Sequence, residues 1–276
     1  MSKIERIKSI ELELSSRYGL VSDDPLHAAK SRNLLRRCSA IIRQIEKRIE
    51  PGETYQALEL GVDTGAMLLC LARVLDNITW SGTDVPNWNA SRQSIREEIF
   101  KDICAIKPFD ANRDRLPYDD AMFDFVLCSE MLEHLPANSV LPLLREMYRV
   151  LKPGGVLLAT SPNLTSLMNR LLMLAGANPL HLPIPEEQNG FQTFPHIQLY
   201  TPDNMIELGT HAGFRAGEKQ YLTYLAYTFF EPGARWRNQV LRAYLFLDRL
   251  ITPLVPALRD GWLVALNKDP SRDEAA

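Results

Sequence analysis

Along the first fifty residues, apolar positions recur at three- and four-residue intervals. Ile4, Ile7, Ile10 and Leu14 form one stripe, and a second helical pattern runs from Leu26 to Ile49 after the turn-forming Ser22-Asp23-Asp24-Pro25. The spacing predicts an N-terminal helical cap over residues 1–50. The second helix carries Lys30, Arg32, Arg36, Arg37, Arg43, Lys47 and Arg48 against only Glu46. That basic face reads either as a solvated surface or as one turned toward phosphate-bearing groups.

From Pro51 the period changes. Short apolar runs at Tyr55–Leu60, Ile78–Thr83, Phe123–Cys128 and Val156–Thr160, with a weaker one at Ala105–Phe109, alternate with helical patterns at Ala66–Leu75 and Val140–Leu151. Lys152-Pro153-Gly154-Gly155 is expected to stop the second of those helices. Apolar runs of this kind belong to strands buried on both faces, so the alternation predicts an α/β fold with a doubly wound, Rossmann-like sheet. A helix over Pro202–Ala212 ending at Gly213, and strands near Gly217–Leu225 and Trp262–Asn267, bring the sheet to seven strands. Two segments rich in Leu, Met, Tyr and Phe, residues 165–193 and 229–258, interrupt the pattern and read as apolar helical insertions roofing the sheet's carboxyl edge. The main domain is then 51–270, with a polar tail over 271–276.

Composition narrows the function classes. The 276 residues are 46% hydrophobic and 24% charged, which excludes a disordered chain. Lys and Arg number 31 against 34 Asp and Glu, so no global positive field exists to hold a polyanion, and nucleic acid is not an expected partner. Cys38, Cys70, Cys104 and Cys128 are scattered without a CxxC pair, as reduced thiols of a cytoplasmic protein would be, and the N-terminus has no apolar signal core. Val240–Leu258 is the most apolar late stretch, but Arg242, Asp248 and Arg249 interrupt it, so it suits peripheral membrane contact rather than a span.

The chemistry sits at strand ends. The first strand runs into Glu59-Leu60-Gly61-Val62-Asp63-Thr64-Gly65-Ala66 and then a helix, at the edge where doubly wound sheets bind ligands. Glycine permits the sharp turn and a close backbone approach. The third glycine of GxGxxG is missing, which weakens a pyrophosphate reading, while Glu59 suits a positively charged ligand. Asp84 ends the second strand, where an acid accepts both ribose hydroxyls. Asp110 follows the third, either as an acceptor for an adenine amino group or as a turn cap.

These residues, with Ala111, Leu116-Pro117, Phe123-Asp124, Ser129-Glu130-Met131-Leu132-Glu133-His134-Leu135, Arg149-Val150-Leu151-Lys152-Pro153-Gly154-Gly155 and Ser161-Pro162-Asn163, make the stretch Gln56–Phe214 resemble the class I S-adenosylmethionine-dependent methyltransferases. The branch it is most similar to contains the ubiquinone-type O-methyltransferases. The resemblance implies that Glu59 and the Gly61–Gly65 turn surround the methionine part of S-adenosylmethionine. It likewise implies that Asp84 holds the ribose, Asp110 and Ala111 read the adenine, and Ser129 and Glu130 flank the sulfonium. One position departs from the family's GxGxG: Asp63 replaces the middle glycine. Aspartate tolerates a left-handed backbone, and its charge favours the cofactor's ammonium group and disfavours its carboxylate.

Methyl transfer from an activated donor needs mainly an aligned acceptor, and a hydroxyl acceptor gains from a general base, for which His134 and His196 are the candidates. Glu130, Glu133, His134 and His196 form a possible divalent-metal group; the reading favoured here has Glu133 and His134 organise their loop by hydrogen bonds instead. The expected activity is methyl transfer to a small-molecule or lipid- or glycan-linked acceptor, at oxygen in preference to nitrogen. The competing readings are a noncatalytic methyltransferase-like binding protein and a nicotinamide-dependent oxidoreductase, and the oligomeric state stays open.

Overall fold

A computed structural model describes residues 3–18, 25–85, 100–101, 103–180, 186–188, 191–193, 196–223 and 244–270. Two helices, α1 (Lys3–Tyr18) and α2 (Pro25–Glu46), precede the strands β1 (Tyr55–Leu60), β2 (Ile78–Asp84), β3 (Ile106–Pro108), β4 (Phe123–Ser129) and β5 (Leu151–Pro162). Helix α3 (Ala66–Val74) follows β1, and α4 (Ala137–Val150) follows β4. Beyond β5 come α5 (Leu167–Leu174), a small hairpin of β6 (Glu186–Gln188) and β7 (Phe191–Thr193), α6 (Pro202–Ala212), β8 (Arg215–Leu222), a helix over 244–251 called α7 here, and β9 (Gly261–Asn267).

Seven strands form one sheet in the order β3-β2-β1-β4-β5-β9-β8, parallel from β3 through β5, with β9 antiparallel to both of its neighbours. The alternation within each strand divides the core. Ala57, Phe125, Leu127, Val156 and Leu158 face Ile7 and Ile10 of α1, Ile41 and Ile45 of α2, and Leu68 and Leu71 of α3. Leu58, Leu60, Val126, Cys128, Leu157 and Ala159 face Leu144 and Met147 of α4 and Met205 of α6. Glu59 shares the face of Ala57, which turns it toward α2, and this later decides its charge partner.

The structure corrects several boundaries. Helix α4 begins at Ala137, three residues before the expected start, and Lys152–Gly155 lies inside β5, where a register irregularity against β4 absorbs the glycines. Gly213 does end α6, with φ 109°. The apolar roof is also revised: Leu171, Met173 and Leu174 of α5 and Phe246 and Leu250 of α7 are exposed. Expectations for His181, for residues 224–243 and for the tail over 271–276 lie outside the described residues.

Candidate active site

The carboxyl ends of β3, β2, β1 and β4 lie side by side, and each delivers one predicted residue. Leu60 pairs with Thr83, and Asp84 with Pro108 of β3, so Glu59, Asp84 and the turn after β3 stand at adjacent strand tips, spaced by about 4.8 Å per strand. The turn after β1 is held by Gly61 and Val62 N–H donating to the Thr83 carbonyl at 2.9 and 3.2 Å. Gly61, Asp63 and Gly65 all have positive φ, at 67°, 44° and 81°. The middle position therefore requires a left-handed residue, and aspartate is one of the few side chains that accept it. The two glycines also serve packing, since a Cβ on Gly65 would collide with the Phe100 ring and one on Gly61 would press on Met131 Sδ.

Glu59 is buried, and its Oε2 has no hydrogen-bond partner among the described residues. Burial, partly offset by Arg37 and reinforced by Asp84 and Asp63, pushes its carboxyl up to about 8. Glu59, Asp63 and Asp84 thus form one acidic group, on which Arg37 acts as the opposing charge. Asp84 accepts from the Val85 N–H at 2.8 Å.

Asp110 takes the turn role. Its Oδ1 accepts from the Asn112 N–H at 2.9 Å, its own N–H donates to Asp114 Oδ2 at 2.8 Å, and Arg113 stands 3.8 Å away. Half-buried Ala111 follows it. Arg149 fastens the rest of this loop by donating to the Leu116 and Tyr118 carbonyls, while Glu146 accepts from the Leu116 N–H.

Ser129 and Glu130 stand on the β4 side. Ser129 Oγ lies 2.9 Å from Thr160 Oγ1, and Thr160 donates to Glu130 Oε1 at 3.0 Å. Glu130 holds φ 55°, a non-glycine residue in the left-handed region at a strand end, as is common in ligand sites. Arg37 donates to Ser129 Oγ at 3.3 Å and acts electrostatically on both Glu59 and Glu133. Sequence reasoning did not single it out as a site residue. Its one signal was membership of the basic α2 face, part of which is engaged within the chain: Arg36 donates to the Thr223 carbonyl, and Lys47, just past α2, pairs with Glu218.

Beyond Ser129 a short turn, Leu132–His134, carries the second group. Glu133 is fully buried, its Oε2 accepts from Ser161 Oγ at 3.0 Å, and its backbone carbonyl accepts from Ile197 and Gln198 N–H. Those bonds tie the segment after β7 to the turn and bring His196 onto His134, with ring centroids 4.9 Å apart at 66°. Burial and then Glu130 hold the Glu133 carboxyl well above the usual carboxylate range. One ligand atom from each of Glu133, His134 and His196 lies within 4.8 Å of the others. Glu130 does not join this group, because its carboxylate is turned to Thr160.

The family profile of a methyltransferase domain matches residues 30–218. The chain belongs to that family. Among solved structures, the methyltransferase is similar to a SAM-dependent methyltransferase from Methanosarcina mazei, at 17% identity over 82% of this chain and 97% of that one, with a TM-score of 0.55. It is also similar to phosphoethanolamine N-methyltransferase 2 of Haemonchus contortus, solved with S-adenosyl-L-methionine, at 17% identity over 94% of this chain and 60% of that one, TM-score 0.54. A third similar structure is the 4+2 cyclase SpnF, at 18% identity over 98% and 97%, TM-score 0.53. At these identities the likeness is one of fold, and it establishes the methyltransferase as a class I, Rossmann-like α/β protein. A search of curated proteins finds no match. No described helix is long and apolar enough to cross a membrane.

Proposed function

We propose that this enzyme takes S-adenosylmethionine as donor and methylates an oxygen of a small-molecule or lipid- or glycan-linked acceptor, within the ubiquinone-type O-methyltransferase-like branch. The observation that carries the donor reading is the acidic group: buried Glu59, its Oε2 without a partner among the described residues, beside Asp63, Asp84 and Arg37 favours a ligand with two positive centres and a ribose. When bound, S-adenosylmethionine supplies a methyl group activated by its cationic sulfur. Glu59 takes the ammonium, Asp84 the ribose hydroxyls, and Arg37 the carboxylate that Asp63 would otherwise repel. Asp110 and Ala111 border the adenine, and Ser129 and Glu130 line the sulfur side.

His134 and His196 stand one strand further along, over β4 and β5, and supply the base. His134 would take the proton of an acceptor hydroxyl placed against it as the oxygen–methyl bond forms, the donor's methyl–sulfur bond breaks and its sulfur leaves as the neutral thioether. The buried Glu133, fixed by Ser161, anchors the turn that aims the ring. The close approach of Glu133, His134 and His196 supports a second reading, in which the three hold one divalent cation that acidifies the hydroxyl. Chelation separates the two: activity that survives EDTA fits the imidazole base, and activity lost to EDTA and restored by added divalent cation fits the metal.

Calorimetric titration with S-adenosylmethionine and, separately, NAD tests the donor assignment. Binding of the first and not the second is expected, and no binding of S-adenosylmethionine would overturn the reading. The oxygen assignment is tested by offering phenolic and amine acceptors side by side; methylation of amines alone would defeat it.

A further inference from the structure

Helix α7 is built inside out. Tyr244 and Asp248 of the helix and Thr252 of the turn that follows it, spaced four apart, form a buried polar stripe, while Arg249 is exposed. Tyr244 Oη donates to Asp260 Oδ1 at 3.1 Å, and Thr252 Oγ1 donates to the Asp248 carbonyl at 2.9 Å. The opposite side carries Phe246, Leu247 and Leu250, at 68%, 40% and 58% exposure, and the turn after it adds Leu254 at 80% and Val255 at 45%. Single exposed apolar residues are ordinary; five within ten positions on one outward surface are not.

This surface does not stand alone. Asn163 Nδ2 donates to the Ala257 and Arg259 carbonyls at 2.9 Å each, so the segment leading into α5 is bolted to the turn that follows α7. Helix α5 exposes Leu171, Met173 and Leu174 in turn. Both elements leave the same corner of the sheet, where Pro162 of β5 pairs with Gly261 of β9.

Charge selects the occupant. Among the described residues 244–258 the one acid, Asp248, is buried on the inner stripe, whereas Arg249 is exposed at the flank of the apolar side. A second copy packed face to face would set this acid-free surface against itself, with no anion for Arg249. Apolar side chains flanked by arginine match the headgroup and acyl boundary of an anionic bilayer.

We propose that the outward face of α7 and its following turn, together with the exposed side of α5, seat this protein on an anionic membrane surface. This goes beyond the methyl-transfer reading and does not depend on it, since seating needs neither donor nor acceptor. Flotation of the purified full-length chain with phosphatidylglycerol-containing vesicles, and in parallel with pure phosphatidylcholine vesicles, tests it without cofactor.

The wild type is expected to float with the anionic vesicles and far less with the neutral ones. The combined Phe246→Ser, Leu250→Ser and Leu254→Ser variant is expected to lose roughly tenfold or more in partitioning with an unchanged melting curve. Arg249→Glu is expected to lose several-fold on anionic vesicles alone, and it decides the matter should the triple variant melt early. The proposal falls if the wild type stays unbound, if the variants float as the wild type does, or if sedimentation shows a dimer that the triple variant abolishes.

Discussion

Two buried carboxylates on the carboxyl edge of the sheet, Glu59 and Asp260, obey the same electrostatics and serve different ends. Burial raises both, Glu59 to about 8 and Asp260 to about 7, and each has an acidic neighbour that raises it further and an arginine of α2 that opposes the shift. The arginines are consecutive: Arg37 acts on Glu59 and Arg36 on Asp260. The difference lies in what completes the hydrogen bonding. Asp260 receives the Tyr244 hydroxyl and so fastens α7 to the start of β9, whereas Glu59 Oε2 has no donor among the described residues. A buried acid satisfied from within the chain acts as a fastener, and one left with an open acceptor beside other acids suits a cation, the role proposed for Glu59.

The largest effect is expected from pH acting on the fastener. The folded pKa of Asp260 is raised, so its favourable protonated state is fully present below about pH 4 and is lost as pH rises through about 7. Asp260→Asn removes that loss and gains up to about 3 kcal/mol over the wild type at pH 8, with no gain at pH 4. Urea melts at the two pH values measure it, and an equal shift at both would show that Asp260 is not buried as described. Next comes Asp84→Ala in the receptor. Losing two charge-assisted hydrogen bonds is expected to weaken S-adenosylmethionine binding by about 100-fold in calorimetry, while the melting temperature stays near that of the wild type.

Glu59 joins pH to binding. Below about pH 8 its carboxyl is protonated in the free protein, so a cationic ligand must displace that proton, and affinity climbs as pH rises to about 8 and then levels. Across pH 6 to 8 the climb is expected to be about 50-fold. Glu59→Gln flattens it, and a variant that kept the slope would assign the titration to another group. The smallest effect is Tyr244→Phe, which removes the donor to Asp260 and costs about 1 kcal/mol in denaturant melts at pH 6.

Much of the frame was legible because it is local. The buried runs that became β1, β2 and β4 carry their own period, and Pro202 with Gly213 marks both ends of α6. The demand for a left-handed residue at position 63 could be anticipated from the glycine pattern, and φ 44° meets it. Other features depended on partners remote in sequence. Arg37 looked like one of the seven basic residues of the expected helix Leu26–Ile49 until packing brought it against Ser129, 92 residues further along the chain. Asp110 had two readings, of which the Asn112 N–H bears out the turn cap. His134 and His196 could be named but not joined, because the Glu133 carbonyl that receives Ile197 and Gln198 is what draws them together.

Periodicity in this chain determined which residues form strands and helices and which acids stand at strand tips, since those follow from backbone geometry over a few residues. Tertiary structure alone decided which way α7 faces. By sequence its stripe of Leu and Phe reads as a roof or a membrane contact, with no orientation fixed; Asp260 offers Tyr244 an inner acceptor, Arg259 and Arg36 act on Asp248, and the apolar side is left to the outside. An amphipathic pattern states that a helix has two sides; the surface it meets determines which one is turned in.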